Sequence, residues 1–207
     1  QTARSSSKTG LPMMRSLSIM YPHDQKTNKY LYEYMFGDNF LIAPIVEPDK
    51  LEIEVYLPEG EWISFWDDKK YSGSEIYSIP TKLDEIPAFI RENSLIPFNL
   101  NEDYRIGGNV GNNTHAFNNL SFVFYPGPEG KYYWNYDKTG EEIEFYWKQK
   151  SSESFVLKIE NTYHPINIII PSEYIFDQDF EILENGKKVL SLPINTEDNF
   201  ELIVYKK

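Results

Sequence analysis

From Asn39 onwards the sequence consists of short apolar or alternating runs, separated by turns that contain Pro, Gly and Asp. This spacing is typical of an antiparallel β-sandwich. In the first half of the chain the runs are FLIAPIV (40–46), EIEVYLP (52–58), EWISFW (61–66) and IPAFIREN with SLIPF (86–98). A unit of about 60 residues has a small core, so we expect it to pack against another part of a protein.

A second series of strand-like runs begins at Leu120 and continues to the end of the chain. Between the two series, residues 99–119 are rich in Asn and Gly, which is typical of a linker or a long loop. Within the second series, Asn185-Gly186 separates two alternating runs, and this is the strongest short signal for a type I′ β-hairpin. We therefore predict a second β-sandwich after the linker.

The composition agrees with a β-rich fold and limits the possible partners. Aromatic residues make up 16% of the chain, and they favour half-buried pleated surfaces. The net charge of −12 predicts no binding to nucleic acid and none to anionic membranes. No apolar run approaches the roughly 20 residues that a membrane span requires. The sequence has no cysteine, which excludes disulfides, thiolate metal sites and a cysteine nucleophile.

The first part of the chain has a different pattern. Residues 11–22, LPMMRSLSIMYP, form an apolar run that is consistent with a buried strand. Four residues then recur at helical spacing before a helix stop at Gly37; they are Tyr30, Leu31, Tyr34 and Met35. A strand followed by a helix is one βα unit, which needs parallel neighbouring strands and cover on both faces.

No motif in the chain predicts a metal, a cofactor or a nucleophile. His23, His115 and His164 do not have the spacing of metal ligands, and there is no G-x-S-x-G motif. The glycine-rich stretch GGNVG (107–111) lacks the Lys-Ser/Thr and the flanking elements of a phosphate-binding loop. We therefore expect no cofactor and no metal.

Paired carboxylates were sought because a glycosidase needs two of them facing each other. The clusters are Asp67-Asp68, Glu141-Glu142 and the pair Asp177 and Asp179. Each lies at a predicted turn, where Asp and Glu are ordinary solvated residues. No catalytic residue is therefore assigned within this chain.

Four stretches, taken in order, resemble segments of glycoside hydrolase family 31, the α-glucosidases and α-xylosidases. They are GLPMMRSLSIMYPHD (10–24), YEYMFGDNFLIAPIVEP (32–48), VYLPEGEWISFWDDKKYSG (55–73) and IPAFIRENSLIP (86–97). A later stretch, FVFYPGPEGKYYWNYDKTGEEIEF, is similar to that family only loosely. The chain departs from the family pattern at Ser16, usually proline, at Glu33, usually glutamine, and at Asn93, usually glycine.

The resemblance implies an architecture for the whole chain. In that family a (β/α)8 barrel carries the aspartate nucleophile and the aspartate acid/base on earlier strands. Residues 1–36 would then hold the last strand and helix of the barrel. Residues 37–100 would be a proximal C-terminal β-sandwich, 101–114 a linker and 115–207 a distal β-sandwich. The expected fold class is mainly β, with two antiparallel β-sandwich domains preceded by a βα remnant of the barrel.

The crowded aromatics of EWISFW admit two interpretations. Trp62, Phe65 and Trp66 fall on both faces of a predicted strand, whereas a sugar-binding platform needs coplanar rings on one face. In so small a unit, large aromatic side chains supply much of the buried area. Packing is therefore favoured over a ligand surface.

No substrate-binding residue is assigned among the other side chains. Arg91 is expected to fix a turn or a domain contact, and Arg15 to approach the barrel interior or pair with a carboxylate. The best remaining candidates for an accessory sugar surface are Tyr132, Tyr133, Trp134 and Tyr136.

The favoured function is the non-catalytic C-terminal region of a retaining α-glycosidase, which hydrolyses or transfers at α-glucosidic or α-xylosidic bonds. This region would support the barrel and the substrate cleft. Its partners would be the upstream catalytic barrel and the oligosaccharide substrate of the parent enzyme, and alone it is expected to be inactive. The alternatives are a stand-alone carbohydrate-binding β-sandwich module and a structural or adhesion domain without a ligand.

Overall fold

The computed structural model describes residues 2–48, 50–106, 117, 119–135, 140–194 and 199–207. The chain forms two compact units, Gln1–Glu92 and Asn93–Lys207. Strands dominate both, as the sequence predicted. The helical elements of the described residues are short and lie in the first unit: α1 (Thr2–Thr9), α2 (Leu17–Met20) and a 3-10 helix (Gln25–Lys29).

The first unit contains one six-stranded antiparallel sheet and one separate strand pair. Its strands are β1 (Met14–Ser16), β2 (Tyr34–Phe36), β3 (Phe40–Ile42), β4 (Glu52–Leu57), β5 (Glu61–Ser64), β6 (Lys70–Ser72), β7 (Glu75–Pro80) and β8 (Ala88–Arg91). The sheet has the order β1-β2-β3-β8-β5-β6, and β4 pairs with β7. The core is rich in large side chains, among them Met35, Leu41, Tyr56, Trp62 and Phe89.

The predicted βα remnant is not visible in residues 11–36. Strand β1 pairs antiparallel with β2, with Arg15 opposite Met35, and α2 is a single turn. The helix expected around Tyr30–Met35 is wrong, because this stretch turns and then enters β2. Its helical spacing reflects burial of Met35 in the sheet core, not a helix face, so tertiary packing overrode the local pattern.

Side-chain hydrogen bonds tie this segment to later parts of the unit. The guanidinium Nη1 of Arg15 lies 2.6 Å from Asp38 Oδ1. The carboxyl Oε1 of Glu33 accepts the Tyr56 backbone N–H at 3.0 Å, and the Tyr56 hydroxyl bonds to Asp24. These contacts span 23 and 32 residues of sequence, so they fix a segment that has little regular structure of its own.

The second unit is a β-sandwich, as predicted. Its strands are β9 (Ser94–Asn99), β10 (Leu120–Tyr125), β11 (Glu129–Asn135), β12 (Glu142–Ser151), β13 (Ser154–Glu160), β14 (Ile166–Ile170), β15 (Tyr174–Phe176), β16 (Glu181–Ile182), β17 (Lys188–Leu192) and β18 (Phe200–Lys206). They form two five-stranded sheets, β16-β17-β14-β10-β9 and β11-β12-β13-β18-β15. All pairs are antiparallel except β10 with β14, which is parallel. Both sheets contribute inward residues such as Phe122, Phe145 and Leu157 to one core.

The predicted hairpin at Asn185-Gly186 is present, but its turn differs. Strands β16 and β17 pair antiparallel, and the Gly186 N–H donates to the Leu183 carbonyl at 2.8 Å. Gly186 has φ +79°, whereas Asn185 is not among the residues with positive φ. A type I′ turn needs positive φ at both central residues, so this loop is a longer one with glycine at its left-handed position.

Strand β9 belongs with the second unit through its antiparallel pairing with β10. The domain ranges 1–36, 37–100, 101–114 and 115–207 stay predictions. Much of the expected linker, residues 107–114, lies outside the described residues.

One bend of the second unit is held by Asn93, which stands where the resembling family usually has glycine. Asn93 has φ +61°, a conformation that asparagine tolerates better than most residues. Its amide donates to the Glu129 carbonyl at 2.9 Å and accepts the Trp147 indole N–H at 2.7 Å. A Cβ on Gly127 would lie 2.3 Å from Asn93 Cβ, and one on Gly130 would lie 2.2 Å from Trp147 Cζ2. The bend therefore requires glycine at both positions.

We expect Gly130→Ala to destabilise the chain by about 1–3 kcal/mol, the usual range for overpacking. Trp147 cannot swing away without losing its bond to Asn93, so the clash must be relieved by the backbone. Urea unfolding would measure the loss. The control Lys150→Ala, at an exposed position of β12, should change stability by less than about 0.5 kcal/mol. Equal stability of the two variants would contradict this account.

Candidate functional site

Trp62 is part of the core and cannot present its ring to a ligand. Its side chain is fully buried, and its indole N–H donates to the Pro58 carbonyl at 2.7 Å. The guanidinium of Arg91 lies 5.5 Å from the Trp62 ring and donates to the Tyr21 hydroxyl. Arg91 therefore acts within the first unit, where it links β8 to the residue that ends α2.

Phe65 and Trp66 lie in the turn after β5, not on a strand face. Trp66 is 41% exposed, and its indole N–H donates to the Ile86 carbonyl at 2.8 Å. The Phe65 ring meets it edge-on at 5.1 Å and 71°. A sugar ring needs a flat exposed face, and these two rings do not form one.

The candidate sugar surface of the second unit divides between the two faces of β11. Trp134 faces the core, edge-on to Phe122 at 5.8 Å. Tyr132 packs against the same core, whereas Tyr133 meets Tyr146 edge-on at 6.2 Å. Tyr136 lies outside the described residues. Because neighbouring strand residues point to opposite faces, the three described rings share no platform.

The structure does not bring the candidate carboxylates together as a facing pair. Glu141 lies 3.8 Å from His164, and the Asp177 carboxylate accepts the Ile203 N–H at 3.0 Å. Asp68 occupies a turn with φ +58°. In the part of the chain that the structure describes, no group of three or more His, Asp or Glu could hold a metal ion. The described helices are all too short or too polar to cross a membrane.

A groove of about 690 Å³ in the first unit is the strongest candidate site. Its walls come from residues 29–33, 43–44, 46–47 and 50–54, with Ser78. This volume lies within the range of ligand pockets, about 300–1,000 Å³. Exposed apolar side chains border it, including Leu31 (78% exposed) and Leu51 (86% exposed). We call it the Glu33 groove.

Glu33 is the one buried carboxylate among the residues that the structure describes. Its Oε1 accepts the Tyr56 N–H, while its Oε2 has no hydrogen-bond partner in the described chain. Burial raises the pKa of this carboxyl to about 8, against a smaller lowering by the Tyr56 N–H. Near neutral pH the group is therefore mostly protonated and can donate a hydrogen bond from Oε2.

The sequence did not assign a role to Glu33. In the sequence it is only an acid where the resembling family usually has glutamine. Its burial follows from contacts that no local pattern encodes. The departure from the family pattern was the one available signal.

The second unit has a smaller groove of about 560 Å³ on the outer face of β11, β12 and β13. Lysines dominate its lining: Lys131, Lys148, Lys150 and Lys158. Lys158 lies 3.2 Å from Glu201, and Lys131 lies over the Tyr133 ring at 5.7 Å. Trp147, also in the lining, is only 6% exposed, so this groove offers a basic surface with one half-buried tyrosine, Tyr146.

Comparison with known proteins identifies a family for part of the chain and sequence relatives for about two thirds of it. Residues 10–96 match the glycosyl hydrolase family 31 C-terminal domain. The chain is 39% identical over 138 residues to an isomaltosyltransferase of Sporosarcina globispora, covering 67% of this chain and 13% of that protein. It is 34% identical over 137 residues to an alpha-xylosidase of Saccharolobus solfataricus, covering 66% of this chain and 18% of that protein.

Solved structures of enzymes share the fold of this chain. A cycloalternan-forming enzyme from Listeria monocytogenes, in complex with a pentasaccharide substrate, superposes with a TM-score of 0.86 at 26% identity. That match covers 99% of this chain and 21% of the other. A dextranase of the same family from Flavobacterium johnsoniae shares the fold, with a TM-score of 0.75 over 99% of this chain and 30% of that chain, at 22% identity. The chain therefore spans 13–30% of the length of these relatives.

We predict that Glu33→Gln stabilises the chain at alkaline pH. The folded pKa of about 8 exceeds the unfolded value of about 4.3, so the folded state holds a proton that the unfolded state has lost. The stability from the neutral acid is fully present below about pH 4 and disappears as pH rises through about 8. Glutamine keeps an oxygen for the Tyr56 N–H and has no charge to bury.

Thermal unfolding of the two proteins at about pH 5 and about pH 9 would test this. The variant should gain several degrees over the parent sequence at the higher pH and little at the lower. Glu59→Gln, which removes an exposed carboxylate of the same unit, is the matched control. The same difference at both pH values would show that Glu33 does not change its ionisation in this range.

Proposed function

We propose that this chain, whose residues 10–96 match the glycosyl hydrolase family 31 C-terminal domain, is the non-catalytic C-terminal region of a retaining α-glycosidase. The parent acts on an oligosaccharide, by hydrolysis or transfer at α-glucosidic or α-xylosidic bonds. This region supports the upstream catalytic barrel and the edge of the substrate cleft. Isomaltosyltransferase and alpha-xylosidase activities among the relatives support this substrate class.

The observation that carries the proposal is an exposed apolar sheet edge. Strand β1 is the terminal strand of the six-stranded sheet. Met14 on β1 and Phe36 on β2 are cross-strand partners and are 56% and 44% exposed. Folded proteins usually protect such edges with charges or cover them, and exposed apolar patches mark interaction sites. The upstream barrel is the cover that we propose for this edge.

The division of chemistry follows from the carboxylates. A retaining glycosidase needs two carboxyl groups about 5–5.5 Å apart, and the candidate clusters of this chain serve separate local roles. The resemblance to family 31 implies that the nucleophile and the acid/base belong to the upstream barrel, and the separate roles of these carboxylates support that assignment. The contribution of this region is rigidity, because residues 11–36 are fixed by bonds such as Arg15 to Asp38.

The chain alone should not turn over chromogenic α-glucosides or α-xylosides. None of its carboxylates is assigned as the nucleophile or the acid/base of the retaining mechanism, so the release of nitrophenol should equal that in buffer alone. The parent enzyme under the same conditions is the positive control. Turnover that persists after repeated purification would move the catalytic pair into this chain.

Charges placed on the apolar edge should weaken the parent enzyme and spare the isolated chain. Met14→Lys with Phe36→Lys alters two exposed side chains and places like charges opposite each other, so the chain alone should lose no more than about 1 kcal/mol of stability. In the parent, burying the exposed half of each side chain contributes about 0.7–1.7 kcal/mol, and their loss should lower the melting temperature. Ile182→Lys, an exposed apolar position of the second unit, is the matched control for added charge.

An unchanged parent melting temperature would remove the support for a covered edge. Binding of maltose, isomaltose or xyloglucan oligosaccharides to the chain alone, with a clear change in tryptophan fluorescence, would instead favour a carbohydrate-binding module.

A further inference from the structure

The Glu33 groove contains a buried group with hydrogen-bonding capacity to spare. Glu33 is 5% exposed, its Oε1 is held by the Tyr56 N–H, and its Oε2 has no partner in the described chain. Buried polar atoms in native proteins are nearly always satisfied. Oε2 itself has almost no accessible surface, so a group that enters the groove completes its bonding after a small movement of the Glu33 side chain, which belongs to the groove lining.

The charges around the groove select the sign of that occupant. Four carboxylates and two ammonium groups belong to its lining: Glu33, Glu47, Glu52, Glu54, Lys29 and Lys50. Lys50 is already engaged, with its Nζ 3.1 Å from the Glu47 carboxylate. The charges of Glu54 and Glu33 also raise the pKa of Tyr30, after the larger effect of burial. With Glu33 neutral and Glu47 paired with Lys50, Glu52 and Glu54 still outnumber Lys29, so the potential in the groove is negative and attracts a cation.

The aromatic lining of the groove favours one kind of cation. Tyr30 and Tyr32 are among its walls, and aromatic rings bind flat guanidinium groups through their faces. Arginine carries such a group on an apolar stem and is more weakly hydrated than lysine. The exposed Leu31 beside the groove provides apolar contact for the residues that flank the arginine.

We propose that the Glu33 groove receives one arginine side chain, from a segment of the parent protein outside these 207 residues, and that its guanidinium pairs with the Glu33 carboxylate. On pairing, Glu33 releases its proton to solvent and the ion pair replaces the neutral acid. The inference rests on the proposed function, since it names the chemistry of one contact between this region and the rest of the parent.

The test is whether Glu33→Gln raises or lowers the melting temperature of this chain and of the parent protein, measured by thermal unfolding at about pH 8. In this chain alone, Glu33→Gln should raise the melting temperature, because it removes a buried acid that has no counter-charge in the described chain. In the parent protein it should lower the melting temperature, because it leaves the arginine without its counter-charge. Glu59→Gln, an exposed position outside the groove, should change neither protein.

A rise in both proteins would overturn the inference. Failure of the proposed function gives a different pattern, in which Met14→Lys with Phe36→Lys also leaves the parent unchanged. If those edge substitutions weaken the parent while Glu33→Gln stabilises it, the covered edge stands and the arginine contact falls.

A direct binding experiment uses the chain as it is described. The probe is the acetylated tripeptide amide Leu-Arg-Leu, and its control contains citrulline, which has the shape of arginine without the charge. With ¹³C-labelled glutamate, NMR should show the Glu33 pKa falling from about 8 when the arginine peptide binds. Citrulline, or Glu33→Gln with the arginine peptide, should weaken binding about tenfold, which corresponds to about 1.4 kcal/mol. Equal affinity of the two peptides, or perturbation of Glu33 by isomaltose and not by arginine, would refute the arginine contact.

Discussion

Residues 11–36 are held in place within the first unit by side-chain hydrogen bonds more than by strand pairing. Their regular structure amounts to two three-residue strands, one helical turn and a 3-10 helix. The bonds from Arg15 to Asp38, from Tyr56 to Glu33 and from Arg91 to Tyr21 reach far along the sequence. Each draws a charged or polar group into a partly buried position, where its loss would leave a partner unsatisfied. The placement of both the apolar edge and the groove depends on these bonds.

The same arrangement explains how an acidic protein can contain a carboxyl group in an apolar setting. Glu33 is held by the Tyr56 N–H, and turning its side chain out to water would break that bond. The cost is lowered because the group stays neutral over much of the physiological range. A neutral acid in a fixed position can switch to a charged partner with little rearrangement, since only a proton has to leave.

The sequence predicted the fold well where strands are independent of their context. Alternating runs located β4 and β5 in the first unit and most strands of the second, because a half-buried strand has period two in any sheet. Around Tyr30–Met35 the pattern misled, because Met35 alone of the four spaced residues is buried and Leu31 is largely exposed, so the spacing marks no common face. The groove could not be predicted at all. Residues distant in sequence form it, and the burial of Glu33 depends on Tyr56, which is 23 positions away.

The bend at Asn93 has a consequence for how this sequence can change over time. An asparagine side chain fills space that a glycine would leave open, and the Cβ of any residue at position 127 would collide with it. The amide also binds the Trp147 indole, and that ring in turn requires glycine at position 130. Four positions are thereby linked, so that a mutation at one is tolerated only in the background of the others. Chains that carry asparagine at position 93 should keep glycine at 127 and 130, whereas a chain with glycine at 93 lacks the atoms that a Cβ at 127 would meet first.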